Sequence, residues 1–140
     1  MASIHIDSSV AVSADTAWQS LRLVDKPDQL FSPVLAAAEM HGDTRTVRFG
    51  NGLVVRERVI DVDDARRRVA YSVLDAPGLT YHHASMQIVA DGPDRWRFVW
   101  TTDFLPAEAA PSLQPLIDAG TSALKANLER VANRLIGVQS

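Results

Sequence analysis

Four side chains in this chain could do chemistry together: a carboxylate, Glu57; an imidazole, His82; a phenol, Tyr71; and an indole, Trp100. Each falls in a stretch where apolar and polar residues alternate, the period of a β-strand with one buried face. Between Leu53 and Val62 one face carries Leu53, Val55, Glu57, Val59 and Asp61, and the other carries Val54, Arg56, Arg58 and Ile60. Two arginines do not share a sealed core, so the Glu57 face is expected to point inward. The same alternation turns Val69, Tyr71 and Val73 inward, then His82, Ala84, Met86 and Ile88, then Trp96, Phe98, Trp100 and Phe104. A carboxylate in apolar surroundings has its pKa raised, which suits a general acid or a base working near neutral pH. Imidazole titrates there already. A phenol, from Tyr71 or Tyr81, can donate a hydrogen bond to an enolate or carbonyl oxygen. The set would serve proton abstraction beside a carbonyl, aldol cyclisation or dehydration.

Each residue also has a structural reading. Glu57 can pair with an arginine such as Arg45, and His82 can serve a backbone hydrogen bond. Tyr71 and Trp100 can be cavity wall, since ligand cavities are lined mostly by aromatic and apolar groups. Arg66-Arg67-Arg68 after Asp63-Asp64 reads as a solvated turn.

The elements that must position these residues are legible in order. Ile4, Ile6, Val10 and Val12 alternate as a strand, and Ser13 then caps a helix with Ala17, Trp18 and Leu21 on its apolar face. Asp28 to Phe31 allows one more helical turn. Six strands follow: Val34 to His41, Arg45 to Phe49, Leu53 to Val62, Arg68 to Leu74, Tyr81 to Val89 and Trp96 to Phe104. Their separators, Gly42-Asp43, Gly50-Asn51-Gly52, Asp63-Asp64, Ala76-Pro77-Gly78 and Asp91-Gly92-Pro93-Asp94, are too short for parallel crossovers and predict an antiparallel meander. From Ser112, a candidate N-cap, to Ile136 the period becomes helical, with Leu113, Leu116, Ile117, Gly120, Leu124, Leu128, Val131 and Leu135 on one face and Gly137 as the stop. Asp118, Ser122, Lys125, Glu129 and Asn133 should face water. One helix cannot fill the whole concavity of a curled sheet, so a ligand-sized gap is expected between them.

Bulk properties narrow the classes. The chain has 140 residues and a formal net charge of −3, consistent with one domain over 1–140 and arguing against a phosphate-tracking nucleic-acid binder. It has no cysteine, which excludes disulfides, thiolate metal sites and cysteine nucleophiles. His82 and His83 point to opposite faces of a strand, and no His-x-His or His-Glu-x-x-His spacing occurs, so no metal and no cofactor is expected. No apolar run approaches the ~20 residues of a membrane span, and the amino terminus lacks signal-peptide character, so a cytoplasmic protein is expected.

Val12-Ser-Ala-Asp-Thr-Ala-Trp18, Arg56-Glu-Arg-Val-Ile-Asp-Val-Asp-Asp64, Trp100-Thr-Thr-Asp-Phe104 followed by Pro106, and the long closing helix together resemble the START/Bet v 1-like (SRPBCC) superfamily, in its polyketide cyclase/dehydrase-like branch. The resemblance spans nearly the whole chain. It implies an α+β helix-grip fold: a seven-stranded curved antiparallel sheet around a long C-terminal helix, with one or two short helices after the first strand. It further implies a hydrophobic, polyketide- or lipid-like small molecule bound between sheet and helix. Members include cyclases and aromatases as well as carriers and receptors, so both a metal-free acid/base enzyme and a non-catalytic carrier or sensor follow from it. For the enzyme reading the candidate catalytic residues are Glu57, His82 and Tyr71. The cavity wall is expected from Val55, Val59, Val73, Tyr81, Ala84, Met86, Phe98, Trp100, Ile117, Gly120 and Leu124. A homodimer through an exposed sheet edge stays open as a further option.

Overall fold

The computed structural model describes residues 2–92 and 95–137, with side chains through 134. Pro93 and Asp94 of the fifth expected turn, and the side chains of Leu135 and Ile136, lie outside that description. The order is β1 (Ala2–Val10), α1 (Ala14–Leu21), α2 (Pro27–Leu30), β2 (Leu35–His41), β3 (Thr44–Phe49), β4 (Val54–Asp63), β5 (Arg68–Val73), β6 (Tyr81–Ala90), β7 (Trp96–Leu105), a 3-10 turn (Ala107–Ala109) and α3 (Ala110–Gly137). The strands form one antiparallel sheet in the order β1-β7-β6-β5-β4-β3-β2. This is the helix-grip arrangement, with the curved sheet wrapped on α3.

Local chemistry accounts for the boundaries. The Ser13 hydroxyl accepts from the Thr16 N–H at 3.1 Å, which starts α1 where β1 has run out. Short hairpins join β2 through β7, and the chain's first strand pairs with its last, Ile4 opposite Thr102 and Ile6 opposite Trp100. A single row of side chains therefore runs from β3 to β1 across the concave face. The core under it takes Val47, Ala84, Phe98, Phe104, Leu124 and Leu128, all at most 2% exposed.

Two expectations are corrected. The pairing register slips between Val59 and Asp61, so two residues of β4 face one of β5. Beyond that bulge the alternation inverts: Asp61 is exposed and Val62 packs against the core, whereas strict period-2 had put Asp61 inside. The closing helix also begins earlier than Ser112. The 3-10 turn after Pro106 runs straight into α3 at Ala110, and Pro111 sits in the first turn, where no amide donor is needed. Ser112 is therefore an exposed residue within the first turn. Helix α3 has 28 residues, about 42 Å of rod at ~1.5 Å per residue, and its first half lies over the polar end of the sheet described next.

Candidate functional site

Strand register brings the sequence-selected residues to one corner. Glu57 on β4 lies opposite Arg45 on β3 and Val73 on β5; Tyr71 lies opposite Ala84, which lies opposite Thr102; His82 lies opposite Phe104. Arg45 Nε donates to Glu57 Oε1 at 2.7 Å, and its Nη1 donates to the Val24 carbonyl at 2.9 Å. Both side chains are nearly sealed, 8% and 11% exposed. The guanidinium carbon stands 5.2 Å from the Tyr71 ring centroid, and the Tyr71 and His82 rings are 5.7 Å apart. A cation, a carboxylate, a phenol and an imidazole thus form one connected cluster.

His82 occupies its position for a backbone reason. The β5–β6 ladder runs from Arg68 to Tyr71 and stops there. The next donor of β5 beyond the ladder, the Val73 N–H, is taken by His82 Nδ1 at 2.9 Å, while the Ser72 hydroxyl donates to the His82 carbonyl. With Nδ1 accepting, the ring proton belongs on Nε2. Burial first, and the neighbouring His83 second, push the His82 pKa down to about 4 against the opposing pull of Asp103. At neutral pH His82 is therefore a neutral ring with an Nε2–H donor. Burial, and then the Glu57 charge, push the Tyr71 phenol well above its ordinary range, with Arg45 and Trp100 opposing. Tyr71 stays a neutral O–H donor.

These groups wall a cavity of about 110 Å³ between the sheet, α2 and the first half of α3. Glu57, Tyr71 and His82 all line it, as do Val73, Met86, Trp100, Ile117 and Gly120. Val55, Ala84, Phe98 and Leu124 lie in the sealed core behind that wall, at 4% exposure or less. Val59 is half-buried just before the bulge and does not reach the cavity; Tyr81, at the start of β6, is 53% exposed. Arg45, Phe49 and Thr102 also line the wall, together with Pro27 and Phe31 around α2 and Leu113 and Leu116 on α3. Period-2 alternation could have found Arg45, Phe49 and Thr102, since they share inward faces with Val47, Trp100 and Phe104. Nothing periodic marks Pro27, the first residue of a four-residue helix, or Phe31, its C-cap.

Among the described residues, no group of three or more histidine or carboxylate side chains could hold a metal ion, and no helix is long and apolar enough to cross a membrane. The corner can instead offer neutral donors beside a paired carboxylate.

Comparison with known proteins agrees with this architecture. Residues 1–136 match the family described as polyketide cyclase/dehydrase and lipid transport. No curated protein sequence matches the chain. Among solved structures, the chain is similar to the protein XoxI from Bacillus cereus, with a TM-score of 0.84 at 19% identity over 94% of this chain and 99% of that one. It is similar to a Thermobifida fusca protein, with a TM-score of 0.72 at 26% identity over 93% of this chain and 95% of that one. It also resembles norcoclaurine synthase from Thalictrum flavum, solved in complex with dopamine and hydroxybenzaldehyde, with a TM-score of 0.71 at 22% identity over 95% of this chain and 87% of that one.

Proposed function

The chain belongs to the polyketide cyclase/dehydrase and lipid transport family, and from that premise we propose that it binds a hydrophobic, polyketide- or lipid-like molecule by one end in the cavity under α3. One observation carries the reading: an apolar cavity ends at a corner where Glu57, Tyr71 and His82 converge on the same space. Apolar walls with a few convergent polar groups are what small-molecule sites require. The volume sets the scale. About 110 Å³ is of the order of the ~150 Å³ void that admits a benzene ring, and well short of the ~300 Å³ where pockets for larger ligands begin. The buried end of the ligand is thus about one ring. Anything longer leaves past half-buried Val34, Phe49, Leu113 and Leu116 at the rim.

If the bound molecule reacts, the roles follow from the geometry. Glu57, held by Arg45, is the group able to take a proton from carbon beside a carbonyl. The Tyr71 O–H and His82 Nε2–H are the neutral donors that would meet the developing oxygen charge. His82, with Nδ1 committed to Val73 and its proton on Nε2, serves as donor rather than base. The same commitments favour the second reading, a carrier or sensor in which this corner only orients the ligand. Replacing Glu57 by Gln separates the two. An enzyme loses turnover while keeping ligand affinity within about tenfold; a carrier shows no turnover before or after the change. Native mass spectrometry of the purified protein comes first: if no hydrophobic compound co-purifies and no single-ring probe binds, the pocket has neither role.

A further inference from the structure

Trp100 carries a buried polar atom that the fold leaves unpaired. Among the described residues its Nε1 is the buried side-chain nitrogen or oxygen with no hydrogen-bond partner, on a residue only 8% exposed. Native structures seldom leave such a donor without a reason. The indole is clamped. A Cβ on Gly120 of α3 would stand 3.1 Å from Trp100 Cζ3 and 3.2 Å from Cη2, so a side chain at 120 would press the ring aside by a few tenths of an ångström. Phe31 and Phe98 pack against it in tilted contacts, at centroid distances of 5.9 and 6.0 Å.

The indole's neighbour on the wall is Tyr71. Ala84, fully buried and carrying only a methyl group, pairs with Tyr71 on one side, and the next inward residue of its strand, Met86, pairs with Trp100 on the other. The phenol and the indole thus lie diagonally across β6 and line the same cavity. Trp100 counters part of the upward push on the phenol's pKa, although its N–H closes no hydrogen bond.

Resting on the ligand-binding reading above, we propose that Trp100 is a positioning residue for Tyr71, and that the two together read an uncharged acceptor oxygen on the ligand. As the ligand seats, the indole N–H closes onto the phenol oxygen and turns the phenol O–H outward to donate to a carbonyl oxygen of the bound molecule. Charge selects against the anionic alternative. A carboxylate on the ligand would meet Glu57, and Arg45, which could offset it, already serves Glu57 and the Val24 carbonyl. A pure hydrocarbon leaves the phenol without an acceptor. The class specified is a neutral, single-ring ketone or aldehyde at the buried end.

The test uses three probes of one shape: acetophenone, α-methylstyrene, which replaces the carbonyl oxygen by carbon, and benzoate. Calorimetry on the full chain should find acetophenone about tenfold tighter than either of the others, the size expected for one directed hydrogen bond. Infrared spectra of carbonyl-labelled acetophenone should show the C=O stretch shifted to lower frequency on binding. Tyr71→Phe should remove that shift. Trp100→Phe should reduce the shift and bring the ratio of acetophenone to α-methylstyrene affinity toward one, whereas loss of packing alone would weaken both probes alike and keep the ratio. Should Trp100→Phe fail to fold, Gly120→Ala keeps the indole but displaces it, and the same two readouts should fall. Equal binding of acetophenone and α-methylstyrene overturns the acceptor reading and leaves an apolar pocket standing. An undiminished carbonyl shift in both the Trp100 and Gly120 variants overturns the positioning role, and no binding of any probe overturns the pocket itself.

Discussion

Strand β4 carries two arginine–carboxylate contacts of equal length in opposite surroundings. On its concave face Glu57 accepts from Arg45 at 2.7 Å with the two side chains 11% and 8% exposed. On its convex face, one residue earlier, Arg56 donates to Asp75 at 2.7 Å with exposures of 55% and 45%. Chemistry and distance are the same, so only the medium differs. In water the ions lose little by separating; in the cavity wall each is tolerable only because the other is present. The inner pair is therefore conditional, and it is the one beside Tyr71 and the ligand space. The outer pair joins Arg58 with Asp43 and Arg22 with Asp64 as surface contacts that tidy strand ends.

The strongest way to break this contrast is to remove half of the inner pair. Arg45→Met leaves the Glu57 carboxylate buried without a counter-ion, and also frees the Val24 carbonyl. It should destabilise the protein by about 3–5 kcal/mol in urea unfolding. The double variant Arg45→Met/Glu57→Met, of similar volume and without charge, should recover most of that loss. A single variant within about 1 kcal/mol of the parent would mean that water reaches the pair and that the two faces of β4 are alike.

His82 offers a pH-dependent version of the same contrast, because its burial excludes the charged form. Its folded pKa, about 4, lies below the ordinary 6.5, so the native state binds fewer protons than the unfolded chain between those values. The stability this contributes is complete above about pH 6.5 and is lost as pH falls toward 4, up to about 3 kcal/mol in all. The difference in unfolding free energy between the parent and His82→Leu should therefore shrink steadily over that window and be flat above it. A difference independent of pH from 4 to 7 would place the ring in contact with solvent.

How much of this was legible follows from what each residue has to obey. Glu57, Tyr71, His82 and Trp100 sit on strands whose alternation is dictated by one buried face, so their inward direction could be read from period alone. That logic fails where geometry is set by a pairing partner rather than by the strand itself. Asp61 escaped to solvent because the bulge after Val59 adds a residue that no local pattern announces. Val55, Ala84 and Phe98 share an inward strand face with the cavity residues, and Leu124 the apolar stripe of α3, but neither period can tell wall from core; that depends on where α3 and α2 stand above the sheet. Pro27 and Phe31 reach the cavity through a four-residue helix too short to have a period. The donor role of His82 was hidden for another reason: it depends on the β5–β6 ladder ending at Tyr71, and so on which backbone amide is left over.

The smallest expected effect is on the convex face, and it sharpens the comparison by its smallness. Asp75 accepts from the Arg56 side chain and backbone, and those two contacts, the side chain first, hold its carboxyl below the usual carboxylate range. Taken alone that shift would suggest a stabilising pair lost on acidification. The group is open to solvent, however, and salt and water screen it. Asp75→Asn keeps a hydrogen-bond acceptor for the Arg56 amide and removes only the charge. Its melting temperature should match the parent's at pH 7, in low and in 1 M salt alike. A salt-dependent loss comparable to that of Arg45→Met would show that ion-pair strength on β4 follows distance rather than burial, and the distinction between its two faces would fall.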